Sequence, residues 1–153
     1  MCWHGALISV PSQAHYIAIK RKVNLMRYEF MNESILETVA KAVGIGESYD
    51  HFNDELIMHI NTVLMGLRQI GVGPSEPFLI TDSTATWSNF LGDDKNYEAV
   101  KTYMCLRVRM LFDPPTSSIL ADSMKNQIAE WEWRLNLEYE CNKQKEGETN
   151  SGE

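Results

Sequence analysis

The sequence has few cysteines, and their placement predicts neither disulfides nor a metal site. The 153 residues include only three, Cys2, Cys105 and Cys141, which lie far apart and are odd in number. They form no CxxC pair and no Cys/His cluster with the spacing of a zinc site. This pattern indicates a protein that folds in a reducing cytosol, and we expect it to hold no metal ion or other cofactor.

Long apolar runs and an excess of positive charge are also lacking. No apolar stretch approaches the roughly 20 residues that span a membrane, so we expect no membrane association. Lysine and arginine number 14 against 21 aspartates and glutamates, which gives a net charge of −7. This negative charge argues against a protein that wraps nucleic acid, but it is compatible with one that surrounds DNA without binding it tightly. The length suggests one domain.

No set of residues has the spacing of an active site. Two histidines and two acids lie close together on a predicted helix: His51, Asp54, Glu55 and His59. They do not form the HExxH zinc motif, so solvated side chains explain them better than metal ligation. Ser117 and Ser118 have no histidine near them in sequence, and helix capping is their favoured role. The sequence therefore predicts no enzyme, no catalytic residue and no metal ligand.

The first 30 residues differ in charge from the rest of the chain. They hold four basic residues and one acid: Lys20, Arg21, Lys22, Arg27 and Glu29. A basic interaction arm is one interpretation. We favour another, in which the natural protein starts at Met26 or Met31, and we expect little order in residues 1 to about 25. Residues 31–142 then form the folded domain, and residues 143–153 form a flexible polar tail.

The stretch from residue 93 to 142 predicts two long helices joined by a proline corner. Each helix carries a stripe of apolar residues spaced by three and four: Tyr97, Val100, Met104, Val108 and Leu111 in the first, and Leu120, Met124, Ile128, Trp131 and Leu135 in the second. The first helix is apolar on most sides, so we expect it at the centre of the fold. Pro114 and Pro115 end it, and they suit the first turn of the next helix, with Asp113 or Thr116 as its cap. A short link predicts an antiparallel αα-hairpin.

Two more helices and a long loop precede this hairpin. Residues 31–43 carry one apolar face and stop at Gly44. Residues 50–70 carry another and stop at Gly71 and Gly73. Residues 72–92 have no helical pattern, and Phe78–Thr81 with Thr84–Trp87 is a candidate short β-hairpin. The predicted fold is therefore all-α, a small bundle of about four helices with a long inter-helix loop.

Several large side chains are candidates for a subunit interface. Phe78, Trp87 and Phe90 lie on the loop, where they either cap the bundle or are covered by a neighbouring chain. Trp131 and Trp133 point about 200° apart on one helix, so only one of them enters the core easily. Arg107 and Arg109 either form salt bridges within the fold or reach a neighbouring subunit. The methionines, including Met58 and Met65, are interpreted as adaptable core packing.

Four segments together resemble a known family. They read HFNDELIMHINTVLMGLRQIGVGP from residue 51, WSNFLGDD from residue 87, VKTYMCLRVRMLFDPPTSS from residue 100 and IAEWEWRLN from residue 128. Over residues 31 to about 141 the chain is similar to the small helical head-tail connector proteins of tailed bacteriophages, also called adaptor or DNA-packaging proteins. The most specific part is VRMLFDPPTSS followed by EWEWRLN.

The resemblance implies a homo-oligomeric ring, commonly dodecameric, at the neck of the virion, assembled from protein first present in the host cytoplasm. Its implied partners are the portal protein above and a stopper, head-completion or tail protein below. DNA would pass through the channel without sequence-specific binding. The alternative is a small helical DNA-binding regulator, but the helix beginning at Ser117 holds too many acids for a recognition helix.

Overall fold

A computed structural model describes residues 13–46, 50–92 and 96–149 of the protein, and most of these residues are helical. The helices are α1 Gln13–Met31, α2 Ile35–Val43, α3 Asn53–Gln69, α4 Trp87–Leu91, α5 Tyr97–Phe112 and α6 Ser118–Thr149. A 3₁₀ turn, Asp50–Phe52, precedes α3. The all-α class predicted from the sequence is confirmed, and the described residues form six α-helices rather than about four.

The chain divides into two units, residues 1–31 and residues 32–153. In the first unit, α1 begins at Gln13, whereas the sequence predicted little order up to about residue 25. The described side chains of α1 are exposed. The helix thus forms from local preference without a core of its own. The position of the natural start stays a prediction.

Helix α2 begins later than the apolar pattern suggested. The pattern placed its start at residue 31, but Ser34 is the capping residue and Ile35 is the first helical one. The Ser34 hydroxyl accepts a hydrogen bond from the Glu37 N–H, and the Ser34 carbonyl accepts one from the Thr38 hydroxyl at 2.7 Å. At the other end Gly44 takes a φ of +90°, a left-handed conformation that glycine adopts readily. This stop was predicted correctly.

Helix α5 lies at the centre of the second unit, as the sequence predicted. It packs against α2, α3 and α6. Five of its side chains are buried: Tyr97, Val100, Tyr103, Met104 and Val108. Leu111 was expected in the same stripe but is exposed, because it lies in the last turn of the helix. Neighbours on three sides explain why α5 is apolar over most of its circumference.

Helix α6 packs on α5 through one stripe. Met124, Ile128 and Leu135 are buried and Trp131 is half-buried, whereas Leu120 near the helix start is exposed. The Tyr103 hydroxyl donates to the Glu132 carboxylate at 3.2 Å, which fits the antiparallel pairing predicted for the hairpin. Residues 143–149, predicted to be flexible, continue α6. Lysine and glutamate in this segment favour helix by their intrinsic propensity.

The proline corner separates α5 from α6, but its details differ from the prediction. Asp113 follows the end of α5, and Ser117 precedes the first residue of α6. Pro114 and Pro115 therefore lie in the connection and not in the first turn of α6. Ser117, rather than Asp113 or Thr116, takes the capping position, and its carbonyl accepts the Ala121 N–H at 2.9 Å.

The predicted β-hairpin is absent from the described residues, which contain no strand. The Asn61 side chain of α3 instead occupies both backbone groups of Ile80. It accepts the Ile80 N–H at 2.8 Å and donates to the Ile80 carbonyl at 3.0 Å. Those groups are then unavailable to a second strand. The next residues turn sharply, because the Asp82 carboxylate accepts hydrogen bonds from the N–H and hydroxyl of Thr84.

Two glycines after α3 allow close contact with aromatic rings. Gly71 has a φ of +86° and Gly73 a φ of +89°. A Cβ atom on Gly71 would overlap the ring of Tyr139 in α6, and one on Gly73 would overlap the ring of Phe90 in α4. This turn therefore positions both α6 and α4 against the end of α3.

We expect Gly71→Ala to lower the free energy of unfolding by about 1–3 kcal/mol, because alanine combines an unfavourable φ with a clash against Tyr139. Gly66→Ala is the matched control. A Cβ atom there meets nothing within 4 Å, and alanine should stabilise the interior of α3 by about 0.5–1 kcal/mol. Urea unfolding of the three proteins measures both changes, and equal stability of Gly71→Ala and the wild type would contradict the assignment.

Candidate interaction surfaces

Trp87 is enclosed by its own chain. Its side chain is fully buried, its indole N–H donates to the Thr38 hydroxyl at 3.2 Å, and its ring meets Tyr97 edge-on at 6.0 Å between centroids. A capping box formed by Thr86 and Asn89 starts α4 at this residue. Trp87 therefore ties the long loop to α2 and α5, and it presents no surface to a neighbour.

Phe90 is also buried, and it packs against Phe78 with ring centroids 5.3 Å apart. Phe78 is half-buried. The structure thus corrects the expectation of an aromatic loop surface at Trp87 and Phe90, because both rings complete the core. The capping interpretation agrees with this burial, and of the three residues only Phe78 keeps exposed area.

A charged pair beside Trp87 joins the segment before α2 to α5. Lys101 on α5 lies 2.8 Å from the Glu33 carboxylate and 5.5 Å from the centre of the Tyr97 ring. Burial acts to lower the pKa of Lys101, but the hydrogen bond to Glu33 and the interaction with Tyr97 outweigh it and raise the pKa. For Tyr97 and Tyr103, by contrast, burial itself raises the pKa.

These shifts predict a loss of stability at alkaline pH. In each case the pKa is higher in the folded state than in the unfolded chain, so the folded state holds its protons longer. The stabilisation is complete below about pH 10 and decreases as the pH rises through the folded-state values. Thermal unfolding followed between pH 8 and about pH 11 should show a falling Tm, and a flat profile would contradict the prediction.

The two arginines of α5 are both exposed but differ in their contacts. Arg109 donates to the Ala42 carbonyl at 3.3 Å, in the last turn of α2, where carbonyl groups lack helical partners. It therefore acts within the fold, although through a carbonyl and not through the salt bridge considered from the sequence. Arg107 has no hydrogen bond or ion pair with another residue in the described ranges, and its role at an interface stays a prediction.

The two tryptophans of α6 divide as their 200° separation predicts. Trp131 is half-buried, with the Arg134 guanidinium 5.6 Å from its ring centre. Trp133 is 64% exposed. Likewise Leu135 is buried, whereas Leu137 is 47% exposed and lies one turn after Trp133. We call Trp133 and Leu137 the outer α6 face, since they lie on the side of the helix away from its buried stripe.

A second apolar surface on α3 was missed from the sequence. Met58 is 58% exposed and Met65 is 57% exposed, although both were interpreted as core residues. They lie on the side of α3 opposite its buried residues, and we call them the outer α3 face. A helical projection reveals them, because their positions are about 180° from the stripe formed by Leu56, Ile60, Val63 and Leu67.

The remaining candidates have structural or solvated positions. Asp113 and Pro114 at the helix corner are exposed, and Pro115 is half-buried. The corner follows Phe112, whose ring meets Phe52 edge-on with 5.8 Å between the ring centroids. His59 is 3.8 Å from Glu55 in the same helix. In the part of the chain that the structure describes, no group of three or more His, Cys, Asp or Glu residues could hold a metal. No helix there is long and apolar enough to cross a membrane.

The geometry thus defines a helical protein that fills its core through the inner faces of its helices and keeps apolar side chains on two outer faces. The family of phage connector proteins matches residues 35–142. This match covers more than half of the sequence, so the chain belongs to the phage connector protein family. Membership implies a structural role in contact with other phage head or tail proteins. Neither a curated protein nor a solved structure matches the chain.

Proposed function

We propose that copies of this protein form a closed, dodecameric ring beneath the portal at the virion neck. The ring extends the DNA channel toward the stopper, head-completion or tail protein that binds below it. The observation that carries this proposal is the exposure of the outer α6 face. Trp133 and Leu137 are large apolar side chains that remain 64% and 47% exposed within the part of the chain that the structure describes.

Association gives these side chains the burial that a single copy lacks. Burying a side chain of this size stabilises by about 1.5–3 kcal/mol. Tryptophan at the centre of an interface is among the residues that contribute most to binding. A head-to-tail contact closes into a ring when its rotation closes, so one such contact repeated around an axis is sufficient.

The charge of the chain suits a conduit for DNA. The net charge is −7, and tight DNA binding depends on lysine and arginine contacts to phosphate. An acidic ring allows DNA to move through it with little retention. The role is structural, and the proposal requires no catalytic step and no cofactor.

Measuring the mass of the purified protein, alone and mixed with portal, tests the proposal. We expect a ring, formed either by the protein alone or on the portal. Trp133→Ala should raise the concentration needed for assembly by about tenfold or more, with little change in monomer stability because this side chain is exposed. Leu120→Ala is the matched control, since Leu120 is an exposed leucine on another side of the same helix.

A single species with the mass of one chain, both alone and with portal, would contradict the proposed ring. Electron micrographs of complete virions in which this protein is absent from the neck would contradict the proposed location. Equal assembly of Trp133→Ala and wild-type protein would remove the outer α6 face from the proposal.

A further inference from the structure

A head-to-tail ring requires two different surfaces on each copy, and the outer α6 face is only one of them. Resting on the ring proposed above, we propose that Trp133 and Leu137 of one copy pack against the outer α3 face of the next copy. In this contact the tryptophan ring lies against Gly66, on the flank of the outer α3 face next to Met65.

The outer α3 face has the size and chemistry of a receiving surface. Met58 and Met65 are seven residues apart, or about 10.5 Å along the helix, and both are more than half exposed. The Asn61 hydrogen bonds to Ile80 hold the loop beside α3, where the neighbouring Leu79 is also exposed. Methionine is flexible and makes favourable contacts with aromatic rings, so it can adapt to the edge of an indole.

The structure of a single copy gives no reason for a glycine at position 66. Glycine in a helix interior is less favourable than alanine, yet a Cβ atom on Gly66 would meet nothing within 4 Å. Neither a positive φ nor internal packing requires glycine there. The missing side chain leaves a notch one turn after Thr62, and a notch lets a large ring from outside approach the helix backbone closely.

Charge complementarity favours this pair of surfaces. Residues 58–69 of α3 contain no acid and one strong base, Arg68. Residues 130–140 of α6 contain four acids and one base, which gives a charge of −3. The Arg68 Nε donates to the Ser75 carbonyl at 2.8 Å, which leaves its terminal nitrogens to face the acids of a neighbouring α6. Opposite charges around an apolar contact favour its correct orientation and speed association.

The native Cys141 allows a direct test, because it is exposed and lies one turn after Leu137. One protein carries Cys2→Ser, Cys141→Ser and Thr62→Cys, and the other carries Cys2→Ser and keeps Cys141. The two proteins are mixed under ring-forming conditions and treated at pH 7 with a short bismaleimide. Cys105 remains in both, because burial raises the pKa of its thiol to about 11 and therefore keeps the reactive thiolate scarce at pH 7.

We expect a covalent dimer that joins residue 62 of one copy to residue 141 of another in the mixture, and no such dimer from either protein alone. A ring of the expected mass that gives no 62–141 product overturns this contact and leaves the ring itself intact. Failure of both proteins, and of the wild type, to form any ring on the portal overturns the ring as well. The two failures are therefore distinguishable.

Filling the notch provides an independent test. Gly66→Leu should raise the concentration needed for assembly by about tenfold or more, since the neighbour's ring can no longer approach. Its thermal unfolding should stay near that of the wild type. Gly66→Ala, the smaller change, should raise the Tm by about 2–4 °C. Assembly of Gly66→Leu at the wild-type concentration would overturn the notch.

Discussion

The structure of the second unit depends on the burial of Trp87. This residue begins a helix of only five residues, yet its ring lies between α2 and α5 and its N–H reaches Thr38. The backbone on either side is joined to the start of α2, because Ile35 donates to Ala85 and Trp87 donates to Glu33. A long loop that would otherwise lie free over the surface thus becomes part of the core, and it closes the bundle beside α5.

The central position of α5 explains which surfaces remain for other molecules. It packs against α2, α3 and α6, and each of these helices buries its inner face in the contact. Helices α3 and α6 each carry further apolar side chains on the opposite side, Met58 and Met65 on one and Trp133 and Leu137 on the other. Two-faced helices of this kind are unusual in a protein that functions alone, and they agree with the structural role that membership of the phage connector family implies.

Periodicity in the sequence predicted the helices and their buried stripes well. The stripes of α3, α5 and α6 were found because apolar residues three and four apart must lie on one side of a helix. The separation of Trp131 from Trp133 followed from the same geometry. Ends were less accurate. The start of α2 was placed early, because a helical stripe continues into residues that the Ser34 cap then excludes. For α6, Asp113 and Thr116 were considered as caps beside the capping role favoured for Ser117 and Ser118, and Ser117 takes the position.

Contacts between residues that are far apart in the chain could not be predicted from the sequence. Residues 78–87 hold two short segments that suit strands on either side of Asp82 and Ser83, but Asn61, on another element, occupies the backbone groups of Ile80 and prevents the pairing. Similarly, an aromatic side chain on a loop has the same local pattern whether it faces a neighbour or fills its own core. Burial of Phe90 was therefore decided by the turn at Gly73, which lets the ring approach the backbone.

The amino-acid order by itself determined the all-α class, the central helix and the proline corner, because each depends on spacing within a short segment, and its resemblance to phage connectors over most of its length indicated the family. Only the tertiary structure decided that Trp87 and Phe90 belong to the core and that Met58, Met65, Trp133 and Leu137 do not. Spacing shows which side chains share a face, whereas exposure depends on which other element covers that face, and that information comes from residues far away in the chain.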